Sequence, residues 1–447
     1  MRSDLKLIPA IRSLWTLAWP LIIANSAIPL LGLADAAIAG HLDNVSYLAS
    51  VTVGAGLFSI FFGSFSFLRM GTTGLVAQAE GRADNHESLR ILFNAMLLGL
   101  FLGIGLTGCS WYLIEPAINL ADPADSLIEP LNQYLKIRLF SAPATLVTYA
   151  LTGWFIGRGE TKVALYLALG INTLNIALNY ILAIRFELNS NGIALGTLIA
   201  EYIGVIYGLM WLLRITENGA LLQTAVMKWK TLRTLMKVNA PLWMRTIALQ
   251  SVFVSLSIFA ARLGPNEAAS IGLFLILLSA ASYALDGLAY ASEIEAGQSK
   301  GQKNFSRFIN SLWAGALLTF GTALSIIALV EFFGPDLLGL LTDHKTVIAS
   351  TSSLLTWFRW VLLILCFSYW LDGVFIGLTR SWDMCSTMFL SVGFGWVGAL
   401  WIIGSQHIDD LFKALLIFAV LRSISLGLRL PSVIRDLKTP NHPKLVE

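Results

Sequence analysis

The sequence predicts an all-α membrane protein, with twelve transmembrane helices in two parallel-repeat six-helix lobes around a central cleft. Three observations support this prediction: an apolar composition, twelve apolar stretches of membrane-spanning length, and an internal repeat. Of the 447 residues, 56% are hydrophobic and only 13% are charged, which is about half the charged share of a typical soluble domain. This composition excludes a soluble enzyme, a disordered chain and a nucleic-acid-binding protein.

Twelve stretches have the length and composition that a transmembrane helix requires, which is about 20 mostly apolar residues. A β-barrel would instead show alternating segments of about ten residues, so the spans are predicted to be helices. The twelve stretches lie at residues 14–38, 49–79, 89–114, 131–156, 161–183, 190–214, 235–261, 268–296, 308–333, 351–377, 381–404 and 408–430.

The basic residues predict the orientation of these spans. If the N-terminus is cytoplasmic, the inner segments hold twenty-one Lys and Arg residues and the outer loops hold four. Basic residues concentrate on the cytoplasmic side of membrane proteins. We therefore expect a multi-pass protein of the inner (plasma) membrane with both termini in the cytoplasm.

The second half of the chain repeats the first at a constant offset. The stretch 149–157 (YALTGWFIG) aligns with 369–377 (YWLDGVFIG), and one residue off this register Pro20-Leu aligns with Pro241-Leu. Six helices return the chain to its starting side, so the two halves insert with the same orientation, as in transporters built from parallel repeats. The predicted domains are an N-lobe at 1–214, a cytoplasmic linker at 215–234, a C-lobe at 235–430 and a cytoplasmic tail at 431–447.

An acidic residue lies near the outer end of the first span. Asp35 follows an apolar run, and two prolines, Pro20 and Pro29, precede it. Ionisable residues inside a membrane are costly and usually functional, and each proline removes a helical hydrogen bond. Asp35 is therefore a candidate titrating group on a bendable helix, or a boundary residue hydrated by the outer headgroups.

Four further polar residues are predicted at the depth of Asp35. They are Tyr134, Asn175, Asn179 and Thr197, on the fourth, fifth and sixth spans. Each has a second interpretation, since Asn can join helices and Tyr can lie at the membrane surface. A shared polar layer that contains an acid favours a functional site.

The second half does not keep this layer. At the offset of the repeat, Asp35 aligns with Ser255, which does not titrate near neutral pH. The C-lobe has its own acids: Asp286 is a possible second cation or substrate site, or is paired with a neighbouring Tyr or Arg. Asp372 is expected at the inner surface.

These features resemble the multidrug and toxic compound extrusion (MATE) family, and within it the branch of the DNA-damage-inducible protein F (DinF) type. The resemblance rests on Trp19-Pro20, on Asp35 near the end of the same span, and on the Gly-x-x-x-Gly ends at 153–157 and 373–377. It implies drug/cation antiport by V-shaped lobes that open alternately. It also implies that Asp35 is the coupling acid, that helix 1 bends at Pro20, and that the four polar residues form the network around Asp35.

The coupling ion is predicted from one position at which this chain departs from the pattern of the family. Some archaeal relatives carry a second Asp on the fifth span, where this chain has Asn179. We therefore expect a single carboxylate in the N-lobe, which favours H⁺ over Na⁺ as the coupling ion. No resident cofactor or metal is expected, because the three cysteines form no C-x-x-C pair and no histidine lies in a span.

The sequence thus predicts a monomeric, proton-coupled exporter of amphipathic or cationic small molecules. Candidate residues of the substrate cleft are Phe61, Phe62, Phe65 and Tyr149. The alternatives are an Na⁺-coupled exporter, a flippase for lipid-linked precursors and an intramembrane enzyme. A flippase should carry several basic residues in its cleft, whereas only Arg69 and Arg245 lie well inside spans, and an enzyme would need histidine or paired acids at one depth.

Overall fold

A computed structural model describes residues 6–216 and 227–438. Over these residues the chain is helical and contains no strand. The centre of the predicted linker (217–226), the end of the predicted tail (439–447) and residues 1–5 lie outside the described part. The α-helices, numbered in chain order, are α1 (Leu7–Gly40), α2 (Val45–Ser64), α3 (Phe67–Gly81), α4 (Asn85–Gly108), α5 (Ser110–Ala121), α6 (Asp125–Leu139), α7 (Ala142–Arg158), α8 (Thr161–Tyr180), α9 (Asn189–Ile215), α10 (Trp229–Leu263), α11 (Pro265–Gly301), α12 (Phe305–Gly339), α13 (Lys345–Gly377), α14 (Ser381–Leu390), α15 (Gly398–Ile403), α16 (Ile408–Gly427) and α17 (Leu430–Lys438).

The number of membrane spans agrees with the sequence. In the described residues, eleven helical stretches are long and apolar enough to cross a bilayer, and α6 with α7 makes a twelfth span that bends by 47°. Two of the eleven stretches contain a segment of π-helix, Ile181–Arg185 after α8 and Ser391–Val397 between α14 and α15. The prediction of an all-α protein with twelve transmembrane helices is confirmed.

The internal repeat is visible in the helix caps. Asp84 caps α4 by accepting a hydrogen bond from the backbone N–H three residues later at 2.9 Å, and Asn304 caps α12 in the same way at 3.0 Å. The residues before them, Ala83 and Lys303, both have left-handed backbones, with φ of 56° and 54°. Both features recur at the offset of the sequence repeat, so the repeat extends to the path of the backbone.

The repeated glycines bring helices into close contact. A Cβ atom at Gly153 of α7 would lie 2.6 Å from the carbonyl oxygen of Arg69 on α3. A Cβ atom at Gly373 of α13 would clash with the carbonyl oxygen of Ala289 on α11. Because Arg69 and Ala289 are also related by the offset of the repeat, the same helix packing occurs in both halves.

The chain folds into two compact units, whose limits fall inside two helices. One unit, here called the N-unit, comprises Ile23–Asn239, and the other, the C-unit, comprises Met1–Ile22 with Ala240–Glu447. Helix α1 therefore begins in the C-unit and ends in the N-unit, and α10 does the reverse. Both crossings lie close to a proline, Pro20 in α1 and Pro241 in α10.

Apolar side chains fix the first half of α1 within the C-unit. Leu14 and Ala18 are fully buried against Leu288 and Ala291 of α11 and Ala314 of α12. At the start of the helix, the hydroxyl of Ser13 donates a hydrogen bond to Oε1 of Glu295 at 3.0 Å. These contacts hold residues 7–22 of α1 on the C-unit.

Candidate functional site

Asp35 forms a hydrogen bond with the fifth span. Nδ2 of Asn179 donates to Oδ1 of Asp35 at 2.7 Å and to Oδ1 of Asn175 at 2.6 Å. Asn175 and Asn179 lie one helical turn apart on α8 and are fully buried, whereas Asp35 is half-buried. Three of the five residues of the predicted layer therefore form one hydrogen-bonded chain.

The side chain of Asn179 packs closely against α9, and its two hydrogen bonds to acceptor oxygens assign the donor end of the amide. A Cβ atom at Gly196 of α9 would lie 2.8 Å from the backbone nitrogen of Asn179 and would overlap its Oδ1 atom. The glycine thus leaves room for the carbonyl side of the amide against α9. The donor side then points to Asp35 and binds its carboxylate.

Tyr134 and Thr197 relate differently to Asp35. Tyr134 is 3% exposed, with its ring against Gly54 of α2, and its hydroxyl interacts electrostatically with Asp35. The hydroxyl of Thr197 donates to the carbonyl of Ile193 in its own helix at 2.9 Å. Tyr134 thus lines the site, whereas the hydrogen bond of Thr197 does not reach Asp35.

A largely buried ion pair lies beside this chain. Nη1 of Arg138 on α6 donates to Oε1 of Glu201 on α9 at 3.2 Å and to the hydroxyl of Ser141 at 3.0 Å. The hydroxyl of Thr145 donates to the other oxygen of Glu201. The guanidinium also stacks over the ring of Phe58, 5.2 Å from its centroid. Both oxygens of the Glu201 carboxylate are therefore engaged.

This pair corrects the expectation of a single carboxylate in the N-lobe. Arg138 is hydrogen-bonded to Glu201, and its charge also acts on Asp35, so a second carboxylate lies in the electrostatic surroundings of Asp35. The sequence contained a signal for it, since Glu201 and Arg138 are an acid and a base within the sixth and fourth spans. Such residues usually pair with one another inside a membrane protein.

The aromatic candidates form a row of rings on α2. Phe61 and Phe65 are half-buried, with ring centroids 5.6 Å apart. Phe62 is 5% exposed and stacks on Phe58 at 5.2 Å. The hydroxyl of Tyr149 donates to the backbone carbonyl of Phe62 at 3.4 Å. Phe62 is therefore packed inside the N-unit, and Phe61 and Phe65 are the more accessible rings of the row.

The C-unit contains a different acidic cluster. Asp372 is 7% exposed, and its Oδ2 atom accepts hydrogen bonds from Nη2 of Arg245 and, at 2.5 Å, from Nη2 of Arg422. The expectation that Asp372 lies at the inner surface is wrong, because two buried arginines enclose it. Asp286 interacts electrostatically with Arg245 and Tyr369.

The position that corresponds to Asp35 in the C-unit is neutral. There Ser255 accepts a hydrogen bond from Nε1 of Trp396 at 2.8 Å. Within the described residues, no group of three His, Cys, Asp or Glu side chains is arranged to hold a metal ion. The acidic chemistry of the two repeats therefore differs, although their helices pack alike.

A duplicated bundle of twelve transmembrane helices with buried charged networks in each half is the architecture of a secondary membrane transporter. The family model described as MatE matches residues 20–181 and 241–401, one copy in each half. The chain belongs to this family of multidrug membrane transporters and is not an enzyme.

Individual relatives agree with the family. The chain is 34% identical to DNA damage-inducible protein F of Escherichia coli (strain K12) over 432 residues, which cover 93% of this chain and 91% of that protein. It is 26% identical to Protein DETOXIFICATION 44, chloroplastic, of Arabidopsis thaliana over 93% of this chain and 81% of the relative.

Solved structures share the fold. A transporter of the MOP superfamily from Pyrococcus furiosus, reported with a binding pocket of reversed polarity, superimposes with a TM-score of 0.87 at 19% identity. It covers 97% of this chain and 99% of its own. An outward-facing multidrug resistance MATE family transporter of the MOP superfamily gives a TM-score of 0.86, also at 19% identity and with the same coverage.

Proposed function

We propose that this protein is a proton-coupled antiporter that exports amphipathic or cationic compounds, with Asp35 as the proton-binding group. The observation that carries the proposal is the hydrogen bond from Asn179 to Asp35 inside the N-unit. A half-buried carboxylate held by a neutral amide can gain a proton without leaving a buried cation unpaired. Protonation removes its charge and changes which hydrogen bonds it makes.

Pro20 is the proposed hinge that responds to this change. It has no backbone N–H, and its ring crowds the carbonyl of Thr16 one turn earlier. The residues before it are fixed on the C-unit through Leu14 and Ala18, whereas those after Ile22 belong to the N-unit. A new arrangement of hydrogen bonds at Asp35 would therefore bend α1 near Pro20.

The arginines argue against the flippase alternative. A cleft that holds a lipid diphosphate needs cationic side chains that are available to phosphate. Arg138 is bound to Glu201, and Arg245 and Arg422 are both bound to Asp372. Each of these guanidiniums is already hydrogen-bonded to a carboxylate. Half-buried aromatic rings such as Phe61 and Phe65 instead suit flat, cationic organic molecules.

The experiment is transport of ethidium, a flat organic cation, by purified protein in liposomes. Export driven by an imposed proton gradient is expected for the wild type and is expected to be lost in Asp35→Asn. Asp43→Asn is the matched control, since Asp43 is an exposed acid in the loop that follows α1, and it should transport like the wild type. Full proton-driven export by Asp35→Asn, or export driven by a sodium gradient alone, would refute the proposed coupling.

We also propose a monomer with cytoplasmic termini, because one chain already supplies both repeated halves. The three cysteines allow a test of the orientation. Cys109 is exposed between α4 and α5, on the side predicted to face outward, whereas Cys366 and Cys385 are buried. A membrane-impermeant maleimide should label intact cells at Cys109, and Cys109→Ala should abolish the label. Labelling only after the membrane is opened would reverse the orientation.

A further inference from the structure

We propose that Glu201 is a positioning residue for proton coupling: it holds Arg138 away from a permanent ion pair with Asp35 and so keeps Asp35 able to bind a proton. This inference rests on the proposed function of Asp35. It adds a second carboxylate and a shared guanidinium to the site.

The geometry allows Arg138 to serve two carboxylates. Its side chain is 11% exposed and that of Glu201 is 16% exposed, so water screens the pair only weakly. Thr145 binds the second oxygen of Glu201, which fixes the carboxylate in front of the guanidinium. Asp35 lies within electrostatic reach of Arg138 but is held by Asn179.

Charge balance explains why the second acid matters. With Asp35 ionised, two carboxylates face one guanidinium and the cluster carries one net negative charge. With Asp35 protonated, Arg138 and Glu201 balance each other and the cluster is neutral. Without the charge of Glu201, the buried arginine would have Asp35 as its only anionic partner, and an isolated buried cation is strongly unfavourable. Asp35 would then remain ionised.

The charged and titratable surroundings of Arg138 come from three helices. In the described part of the chain, the titratable groups that interact with its guanidinium are Glu201 of α9, Asp35 of α1 and Tyr134 of its own helix. The guanidinium also contacts Phe58 of α2 and Ser141, and Glu201 accepts a hydrogen bond from Thr145 and interacts electrostatically with Tyr202 of its own helix. The proton affinity of Asp35 thus depends mainly on whether Arg138 interacts more strongly with Glu201 or with Asp35.

The test measures the protonation of Asp35 directly. Purified protein in liposomes is titrated by infrared difference spectroscopy without gradient or drug, and the Asp35 carboxyl signal is identified by its loss in Asp35→Asn. Glu201→Gln keeps the shape of the side chain and removes its charge. We expect it to move the titration midpoint of this signal to lower pH by about 1 unit, the shift that an opposite charge at close range produces.

A second variant should move the titration midpoint of Asp35 in the opposite direction. Arg138→Gln removes the cation, and the two carboxylates then repel each other, so the midpoint should move to higher pH by about 1 unit. The double variant should return towards the wild-type midpoint. Glu331→Gln, which breaks the exposed pair of Glu331 with Arg359 at 2.7 Å in the C-unit, is the control and should leave it unchanged.

Unchanged midpoints in Glu201→Gln and Arg138→Gln would overturn the proposal and reduce the pair to a helix cross-link. If one variant does not fold, the midpoint of the other decides. The titration needs no transported compound, so a failure of ethidium export would refute the proposed function without affecting this result. In transport, Glu201→Gln should shift the pH profile of export in the same direction as the infrared midpoint, whereas a purely structural role would lower export at every pH.

Discussion

The N-unit and the C-unit hold their buried acids in different ways on the same repeated scaffold. Asp35 accepts a hydrogen bond from a neutral amide, and the nearby Arg138 is engaged by Glu201. Asp372 lies between two guanidiniums. A proton on Asp35 weakens one hydrogen bond from an uncharged amide, whereas a proton on Asp372 would weaken hydrogen bonds from two cationic guanidiniums, in which donor and acceptor are both charged. This difference supports our proposal that the acid of the N-unit exchanges a proton, whereas Asp372 joins two helices as an ion pair.

The surrounding framework shows that this difference lies in the side chains. The hydroxyl of Tyr149 reaches Phe62 in the N-unit, and that of Tyr369 reaches Ser282 in the C-unit at 2.6 Å. At the offset of the repeat, Tyr369 is the counterpart of Tyr149 and Ser282 is the counterpart of Phe62. The duplicated helices keep their packing, so the two acidic clusters can be compared by making the same substitution in each.

The largest expected effect is the loss of stability in Asp372→Asn. This change removes the carboxylate that hydrogen-bonds both buried arginines, Arg245 and Arg422, and should lower the free energy of unfolding by about 3–5 kcal/mol. Asp35→Asn should lower the free energy of unfolding far less, because it changes only one hydrogen bond, the one from Asn179. Denaturant or thermal unfolding in detergent measures both variants. Equal losses would show that the two acids are held in the same way.

The next largest expected effect is a loss of stability when the helix packing common to both units is disturbed. Gly153→Ala and Gly373→Ala each force a methyl group against a backbone carbonyl and should cost about 1–3 kcal/mol, with the larger loss at Gly373, where the gap is narrower. Gly105→Ala and Gly321→Ala are matched controls, since nothing lies within 4 Å of a Cβ atom there. A loss in only one unit would mean that the repeat is not kept in the packing.

A smaller effect on stability but a clear effect on transport is expected for Gly196→Ala. The methyl group displaces Asn179 from α9 and disturbs its hydrogen bond to Asp35. Proton-driven export should fall about tenfold, the effect of losing roughly 1.4 kcal/mol. Gly170→Ala on α8 meets only Tyr207 at 4.0 Å and should transport normally. Normal export by Gly196→Ala would show that proton coupling does not need the Asn179 amide in its present position.

The smallest expected effect is that of Ser255→Ala, at the position that corresponds to Asp35. The change removes the acceptor for Nε1 of Trp396 and should lower the free energy of unfolding by about 1 kcal/mol. The pH profile of export should not change, because Ser255 does not titrate. A shifted profile would place part of the proton chemistry in the C-unit.

The apolar stretches of membrane-spanning length were sufficient to predict the helical spans and their number, and similar stretches at a constant offset predicted the repeat. They also grouped Asp35 with Asn175 and Asn179, because a residue's place along a span sets its depth. They did not predict that Glu201 meets Arg138 or that Arg422 meets Asp372. Those contacts depend on how each helix is rotated about its own axis, which the hydropathy of a span does not specify.

Helix α1 is a single helix that belongs to both units, and Pro20 and Pro29 each remove one of its backbone hydrogen bonds. Along its axis, Ser13 and Asp35 are separated by ~33 Å at the rise of an α-helix. Ser13 is bound to Glu295, and Arg307 holds the same carboxylate at 2.9 Å. If Asp35 is the proton-binding group, as we propose, the same helix that carries it also carries the Ser13 contact with the C-unit. Deleting or inserting one residue of α1 between Ser13 and Asp35 would rotate Asp35 by about 100° about the helix axis relative to Ser13. Asp35 could then not face Asn179 while Ser13 stays bound to Glu295.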